Sequence, residues 1–354
     1  MSSNATTPVL PIKMDPWFLF VHHLNYNLTT PLSLLLNSVV LYGLLKNDRK
    51  DMRIYKCFLV LHTIIDINYT ICAGLMQLGM DTRYNTLILV IPGPIAYFGK
   101  FAAKSAFFMF NVFFILNLLV LPVTFLYRYI LICKSDFIFY YCNWFTLVGV
   151  AIIITAWLLP ILGFVADNYV SEDKYNIVFR HSAKDVFDTV EFIHLKSENS
   201  VWFIFTISLF GLVVLISYSI IFTASSQIYR QLRSVSASLS TKTKTAQRAL
   251  NHALLLQALT PFVSTSLPTI VLITFIVTKQ ELNYVPWILA ISYIWQPLLN
   301  ACISLIFIPT IWQAFATSWM RFAWANALSS STSMGNSSQQ RLTKTDKKKA
   351  STNL

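Results

Sequence analysis

The polar side chains that stand inside long uncharged runs are the ones in this chain able to do chemistry. Asp66 lies within Tyr55–Leu78, with no cation expected at a similar depth. Asn37 lies within Leu24–Leu45, Asn111 and Asn117 within Ser105–Leu126, and Asn300 within Val285–Ile308, three residues after Pro297. A charge at the centre of a bilayer costs about 2.5–3.5 kcal/mol on insertion scales, so such residues are retained for a reason. The expected arrangement brings Asp66 to Asn37 and Asn300 near Pro297, with water or a sodium ion between them, and couples three helices. The alternative is a protonated Asp66 in an ordinary helix contact.

Other chemistry is sparse. Five cysteines (Cys57, Cys72, Cys133, Cys142 and Cys302) show no CxxC or Cys/His ligand spacing, which predicts small buried hydrophobes and no metal or cofactor. No paired intramembrane aspartates or nucleophile motifs occur, and the adjacent His22 and His23 point to different helix faces. No catalytic residue is assigned, and the chain is not expected to be an enzyme.

One cation stands at the edge of an apolar run. In Phe125–Lys134, FLYRYILICK, Arg128 sits between Tyr127 and Tyr129 after about twenty uncharged residues. Its stem can lie along apolar surface while the guanidinium reaches headgroups or a partner. The tyrosines suit the same interface. Plain anchoring and a functional role both fit.

The elements that carry these residues must be membrane spans. The chain has 354 residues, 55% hydrophobic and only 12% charged, against about 25% charged in a soluble domain. Seven runs reach crossing length: the four spans named above, with Trp144–Val165, Trp202–Ala224 and Ala253–Val277. Leu87–Phe98, LILVIPGPIAYF, is too short to cross and holds Pro92-Gly93-Pro94, so it reads as an interfacial connection. Pro122, Pro160, Pro261, Pro268 and Pro297 can each bend a span. The pair in TPFVSTSLP predicts either a helix whose inner end swings or a static kink.

Charge sets the orientation. One face gathers 18 cations and four acids, the other nine cations and ten acids. The positive-inside rule puts the first face in the cytosol and the N-terminus outside. Asn4-Ala5-Thr6 is then an extracellular glycosylation sequon at Asn4. The expected divisions are 1–23, an extracellular segment without a cleaved signal peptide; 24–308, a seven-helix domain; 309–327, an interfacial amphipathic helix with Trp312, Phe315, Trp319 and Phe322 on one face; and 328–354, a disordered basic tail. The outer loop 166–200 carries seven acids and four cations and no cysteine, and either caps a pocket or is plainly solvated. The positive charge faces an anionic leaflet, so nucleic acid is not an expected partner.

Phe125-Leu126-Tyr127-Arg128-Tyr129, Gly93-Pro94 and LSTKTKTAQRALNHALLLQALTP (Leu239–Pro261) carry a resemblance to G-protein-coupled receptors. The chain most resembles the nematode serpentine chemoreceptors of the Str superfamily, the Str and Srd classes in particular. The resemblance implies an all-α seven-transmembrane bundle in the plasma membrane of chemosensory cilia, a small-molecule or peptide ligand, and a heterotrimeric G protein. It implies that Arg128 belongs to the switch at the G-protein face, that Asp66 is the second-span acid, and that Gln296-Pro297 stands near the seventh-span proline motif. The ligand is expected between the outer halves of spans three, five, six and seven, lined by Lys104, Phe107, Phe108, Asn111, Trp287, Tyr293 and Gln296. The G protein is expected near Arg128, Tyr129, Arg230, Arg233, Lys242 and Lys244. Tyr127 replaces the acid usual before the arginine, the disulfide to the outer loop is missing, and the seventh span lacks a clear Asn-Pro-x-x-Tyr. A seven-helix transporter or ligand-gated channel subunit is the alternative; neither inverted repeats nor charged, broken pore helices appear.

Overall fold

The computed structural model describes residues 16–46, 53–83, 86–133, 148–149, 152–156, 158–159, 191–196, 201–234, 252–278, 280 and 285–307. The helices are α1 (Pro16–Lys46), α2 (Arg53–Met76), α3 (Lys100–Cys133), α4 (Val201–Ser234), α5 (His252–Val277), α6 (Val285–Tyr293) and α7 (Trp295–Phe307). Six spans among the described residues are long and apolar enough to cross a membrane, α6 and α7 together making the last. The expected span Trp144–Val165 is described only as short helical pieces at 148–149, 152–156 and 158–159. Asn4, Lys242, Lys244, the segment 309–327 and the tail 328–354 lie outside the described residues.

The helices run further than hydropathy alone predicts. α1 starts at Pro16, ahead of the expected Leu24, so His22 and Tyr26 lie within the bundle. α3 and α4 each span 34 residues, about 50 Å at 1.5 Å per residue, and so project beyond a hydrocarbon core of about 30 Å. Their outward faces carry bare leucine and isoleucine, such as Leu28, Leu32 and Leu35 on α1, because lipid rather than water surrounds them. Inside, an outer core gathers Tyr26, Tyr69, Phe107, Phe110, Phe210 and Tyr293, and an inner core gathers Val40, Leu59, Phe125, Ile221, Leu254 and Ala301.

A three-stranded antiparallel sheet accompanies the bundle. Its order is β1 (Gly79–Arg83), β2 (Thr86–Ile91), β3 (Glu191–Lys196). Register pairs Gly79 with Val90 and Arg83 with Thr86, then Thr86 with Lys196 and Ile91 with Glu191. Leu87 to Ile91 is therefore a central strand with every residue buried, and the short apolar run is only in part the expected connection. A 3-10 turn, Pro94–Phe98, then leads to α3. Because β3 comes from the outer loop 166–200, part of that loop is tied to the α2–α3 connection by backbone hydrogen bonds.

The end of α2 is fixed by α1. Gln77 adopts φ 48°, a left-handed conformation that closes a helix C-terminus, and its N–H donates to Ala73 at 2.8 Å. A side chain other than glycine is disfavoured there by roughly 1–2 kcal/mol. Two bonds from α1 offset it. His23 Nδ1–H donates to Gln77 Oε1 at 2.5 Å, and Gln77 Nε2 donates to Asn27 Oδ1 at 2.9 Å. His22 Nε2 and Tyr26 Oη both donate to the next carbonyl, Leu78, at 3.3 and 3.1 Å.

Candidate functional site

Two polar constellations lie inside the bundle, one around Asp66 and one along the contact of α5 with α6 and α7. Asp66 is 2% exposed. Asn117 Nδ2 on α3 donates to its Oδ1 at 2.6 Å, and Asn300 Nδ2 on α7 donates to Oδ2 at 3.2 Å. His62, one turn earlier on α2, places Nε2 3.8 Å from Oδ2. The same Nε2–H donates to Asn117 Oδ1 at 3.2 Å. A nitrogen used as that donor does not accept from Asn300, whose Nδ2 stands 3.5 Å away. Asn117 thus bridges the imidazole and the carboxyl group with its two ends, and three helices meet at one buried acid.

This corrects the expected network in two ways. Asn37 does not reach Asp66: its amide donates to Ser33 O at 2.9 Å and to Pro297 O at 3.2 Å, tying α1 to α7. Its link to α2 runs through Ser33 Oγ, 3.0 Å from Thr70 Oγ1, and Thr70 in turn donates to Asp66 O at 2.7 Å. The carboxylate also has an ionisable neighbour at its own depth, His62, which the count of lysines and arginines overlooked. The i, i+4 spacing of His62 and Asp66 was the available signal.

The second constellation follows from proline. Pro268 has no N–H, so the Ser264 carbonyl four residues back lacks its helical donor. α5 responds with a π segment at Phe262–Ser266, and Ser292 Oγ on α6 donates to Ser264 O at 2.8 Å. Pro297 lacks an N–H for Tyr293 in the same way, and the last span breaks between α6 and α7 at Ile294. Around these two irregularities the helices are joined side by side. Thr265 donates to Gln296 Oε1 at 2.5 Å, Thr269 Oγ1 lies 2.9 Å from Tyr293 Oη, and Gln257 Nε2 donates to Ser304 Oγ at 2.8 Å. Ser292→Ala removes the substitute donor at the Ser264 carbonyl. We expect it to lower stability by about 1 kcal/mol, read as a shift in thermal unfolding, whereas Ser219→Ala, whose hydroxyl bonds only its own helix at Leu215 O, leaves unfolding unchanged.

The residues expected to line a ligand site do not all converge. Phe107 and Tyr293 share the outer core, where Tyr293 meets Phe114 edge-on at 6.5 Å and Tyr69 lies tilted against Phe110 at 4.8 Å. Tyr69 was missed because tyrosine inside a span carries no sequence flag. Lys104, Phe108 and Asn111 are half-buried on α3, and the Asn111 amide donates to Phe107 O at 2.8 Å within that helix. Gln296 is committed to Thr265. Trp287 faces elsewhere, with its ring packed between His22 at 5.0 Å, Phe18 at 6.5 Å and the backbone at Gly79. It fastens α6 to α1 and β1.

At the inner end, Arg128 is 3% exposed, so it does not spread into headgroups as simple anchoring requires. Tyr127 is buried against Phe58 of α2 at 5.1 Å, and Tyr129 packs on the inner core. Arg230 and Arg233 are exposed on the last turns of α4.

The sequence profile described as "Serpentine type 7TM GPCR chemoreceptor Srd" matches residues 23–317. No curated protein matches the chain. Among solved structures, the crystal structure of squid rhodopsin is similar, with a TM-score of 0.53 and 14% sequence identity, covering 91% of this chain and 91% of that one. At that identity the likeness shows the fold, a seven-helix membrane bundle. A family match over five-sixths of the sequence, on such a bundle, makes the chain a member of the Srd family of serpentine seven-transmembrane G-protein-coupled receptor chemoreceptors.

Proposed function

We propose that this receptor binds a small-molecule or peptide chemosensory ligand in the outer half of the bundle and activates a heterotrimeric G protein at the inner face. The setting would be the plasma membrane of a sensory cilium. The observation that carries the reading is the pair of proline irregularities. The π segment of α5 and the break before α7 lie between the outer aromatic core, where a ligand would press, and the buried Arg128 at the inner end. π segments inside transmembrane helices recur at functional sites. A ligand that prefers one bend of α5 shifts an existing equilibrium and would open the surface formed by Arg128, Tyr129, Arg230, Arg233, Lys242 and Lys244.

Arg128→Ala tests the reading directly. With surface expression matched by an N-terminal epitope, ligand-evoked G-protein activation is expected to vanish. Full signalling by that variant would remove the case for an arginine switch.

A further inference from the structure

A groove of about 660 Å³ lies between α4 and α5 on their inner halves. Its walls on α4 are Tyr218, Ile221, Phe222, Ser225, Ser226 and Tyr229, and on α5 they run from His252 to Phe262. Phe222, Tyr229 and Leu259 are exposed, so this surface meets the bilayer rather than the bundle interior. At the deep end the groove is closed by Tyr218 and Phe262, edge-to-face at 5.1 Å. From there to Tyr229 is eleven residues of α4, about 16 Å at 1.5 Å per residue. That is roughly half of a 30 Å hydrocarbon core, the depth of one leaflet.

Polarity is graded along the same path. The deep end is lined by aromatic and aliphatic side chains, and Ser225, Ser226, Tyr229 and His252 stand toward the mouth. The α4 lining steps by three and four residues, and the next step after Tyr229 is Arg233, exposed at the helix end. The mouth opens on the face that holds 18 of the cations, the cytosolic one by the charge rule.

We infer that this groove is a binding site for one acyl chain of an anionic phospholipid from the inner leaflet, with the headgroup phosphate at Tyr229, His252 and Arg233. Depth matches one chain, and the cation at the mouth matches the headgroup. The chain end would touch Phe262, the first residue of the π segment, so occupancy bears on the bend of α5.

The test uses the full receptor in nanodiscs with phosphatidylglycerol or phosphatidylcholine carrying a diazirine on one acyl chain. Irradiation with the phosphatidylglycerol probe is expected to label peptides containing Ser225–Tyr229 and Leu255–Phe262 in preference to the lipid-facing leucines of α1. Ser226→Phe fills the groove and removes that label while α1 labelling persists, which shows an intact fold. Arg233→Gln, on the surface and harmless to packing, lowers the preference for the anionic lipid about fivefold, the effect of one cation near an anionic surface. Equal labelling of groove and α1, equal labelling by both lipids, or a groove peptide cross-linked to a second copy of the receptor overturns the proposal. None of these readouts depends on G-protein signalling.

Discussion

Asn117→Leu is expected to destabilise the receptor by about 2–3 kcal/mol, the cost of leaving a buried carboxyl and a buried imidazole each short of a hydrogen bond. Among the described residues, Asn117 alone touches both His62 and Asp66 through separate atoms, accepting from one at 3.2 Å and donating to the other at 2.6 Å. Leucine keeps the volume and removes both bonds, so the loss is electrostatic rather than a cavity. A thiol-reactive dye in a thermal ramp reads it, since Cys72 and Cys302 are half-buried and become reactive on unfolding. Asp66→Asn supplies the control. With the carboxyl replaced by an amide, adding Asn117→Leu is expected to cost much less, and the difference is the coupling between the two positions. Asn37→Ala is expected to cost only about 0.6 kcal/mol, the average for a hydrogen bond between transmembrane helices. Asn37 ties α1 to the Pro297 carbonyl and does not touch the Asp66 carboxyl. If Asn37→Ala proved as damaging as Asn117→Leu, the network drawn from the sequence would be right and the one in the structure wrong.

That contrast marks what the sequence discloses. Run length and charge asymmetry identify the spans, because a bilayer imposes one thickness and one sign rule on every helix. Asp66 and Asn300 are recognisable as partners since buried polarity in lipid demands company. The choice between Asn37 and Asn117 is not legible, because it depends on how far each helix is rotated about its axis, and α1 and α3 are apolar on nearly all sides. His62 went unnoticed for a related reason: in VLHTIID it reads as one more neutral residue, and only its i, i+4 placement behind Asp66 gives it meaning. The sheet was hidden by length. LILVI is as apolar as a span and too short to be one, and its alternation is erased because both faces of β2 are buried. Trp287 illustrates the limit for ligand sites. The receptor resemblance puts it among the residues lining a ligand site, yet its ring packs against the backbone of Gly79, a neighbour 208 positions away that no local pattern announces.

Close backbone approach also sets the other large effect. Gly93→Ala is expected to cost about 3 kcal/mol and to lower the yield of folded receptor, although φ is −75° and any residue can adopt it. The reason is contact. A β-carbon at Gly93 would stand 2.3 Å from the Leu75 carbonyl oxygen and 2.5 Å from the Met76 carbonyl carbon. These are backbone atoms at the end of α2, held by the Gln77 turn and its bonds to His23 and Asn27, so they cannot swing aside. Gly93 also uses its own N–H to satisfy the Met76 carbonyl at 3.0 Å, one of the acceptors that a helix C-terminus leaves over. Pushing the loop outward to fit a methyl group lengthens that bond and drags β2 with it. Gly79→Ala is expected to be milder, because the atoms it would meet, at 2.2–2.6 Å, belong to the Trp287 ring, which can tilt. Gly211→Ala is the opposite case. It is mid-helix on α4 with nothing within 4 Å of the added atom, and a gain of about 0.5–1 kcal/mol follows from helix propensity alone. The ordering Gly93 worst, Gly79 intermediate, Gly211 neutral or better is read in one thermal series. A series in which Gly93→Ala behaved like Gly211→Ala would mean that the α2–β2 junction is loose, and the sheet could then not hold the outer loop against the bundle as the structure has it.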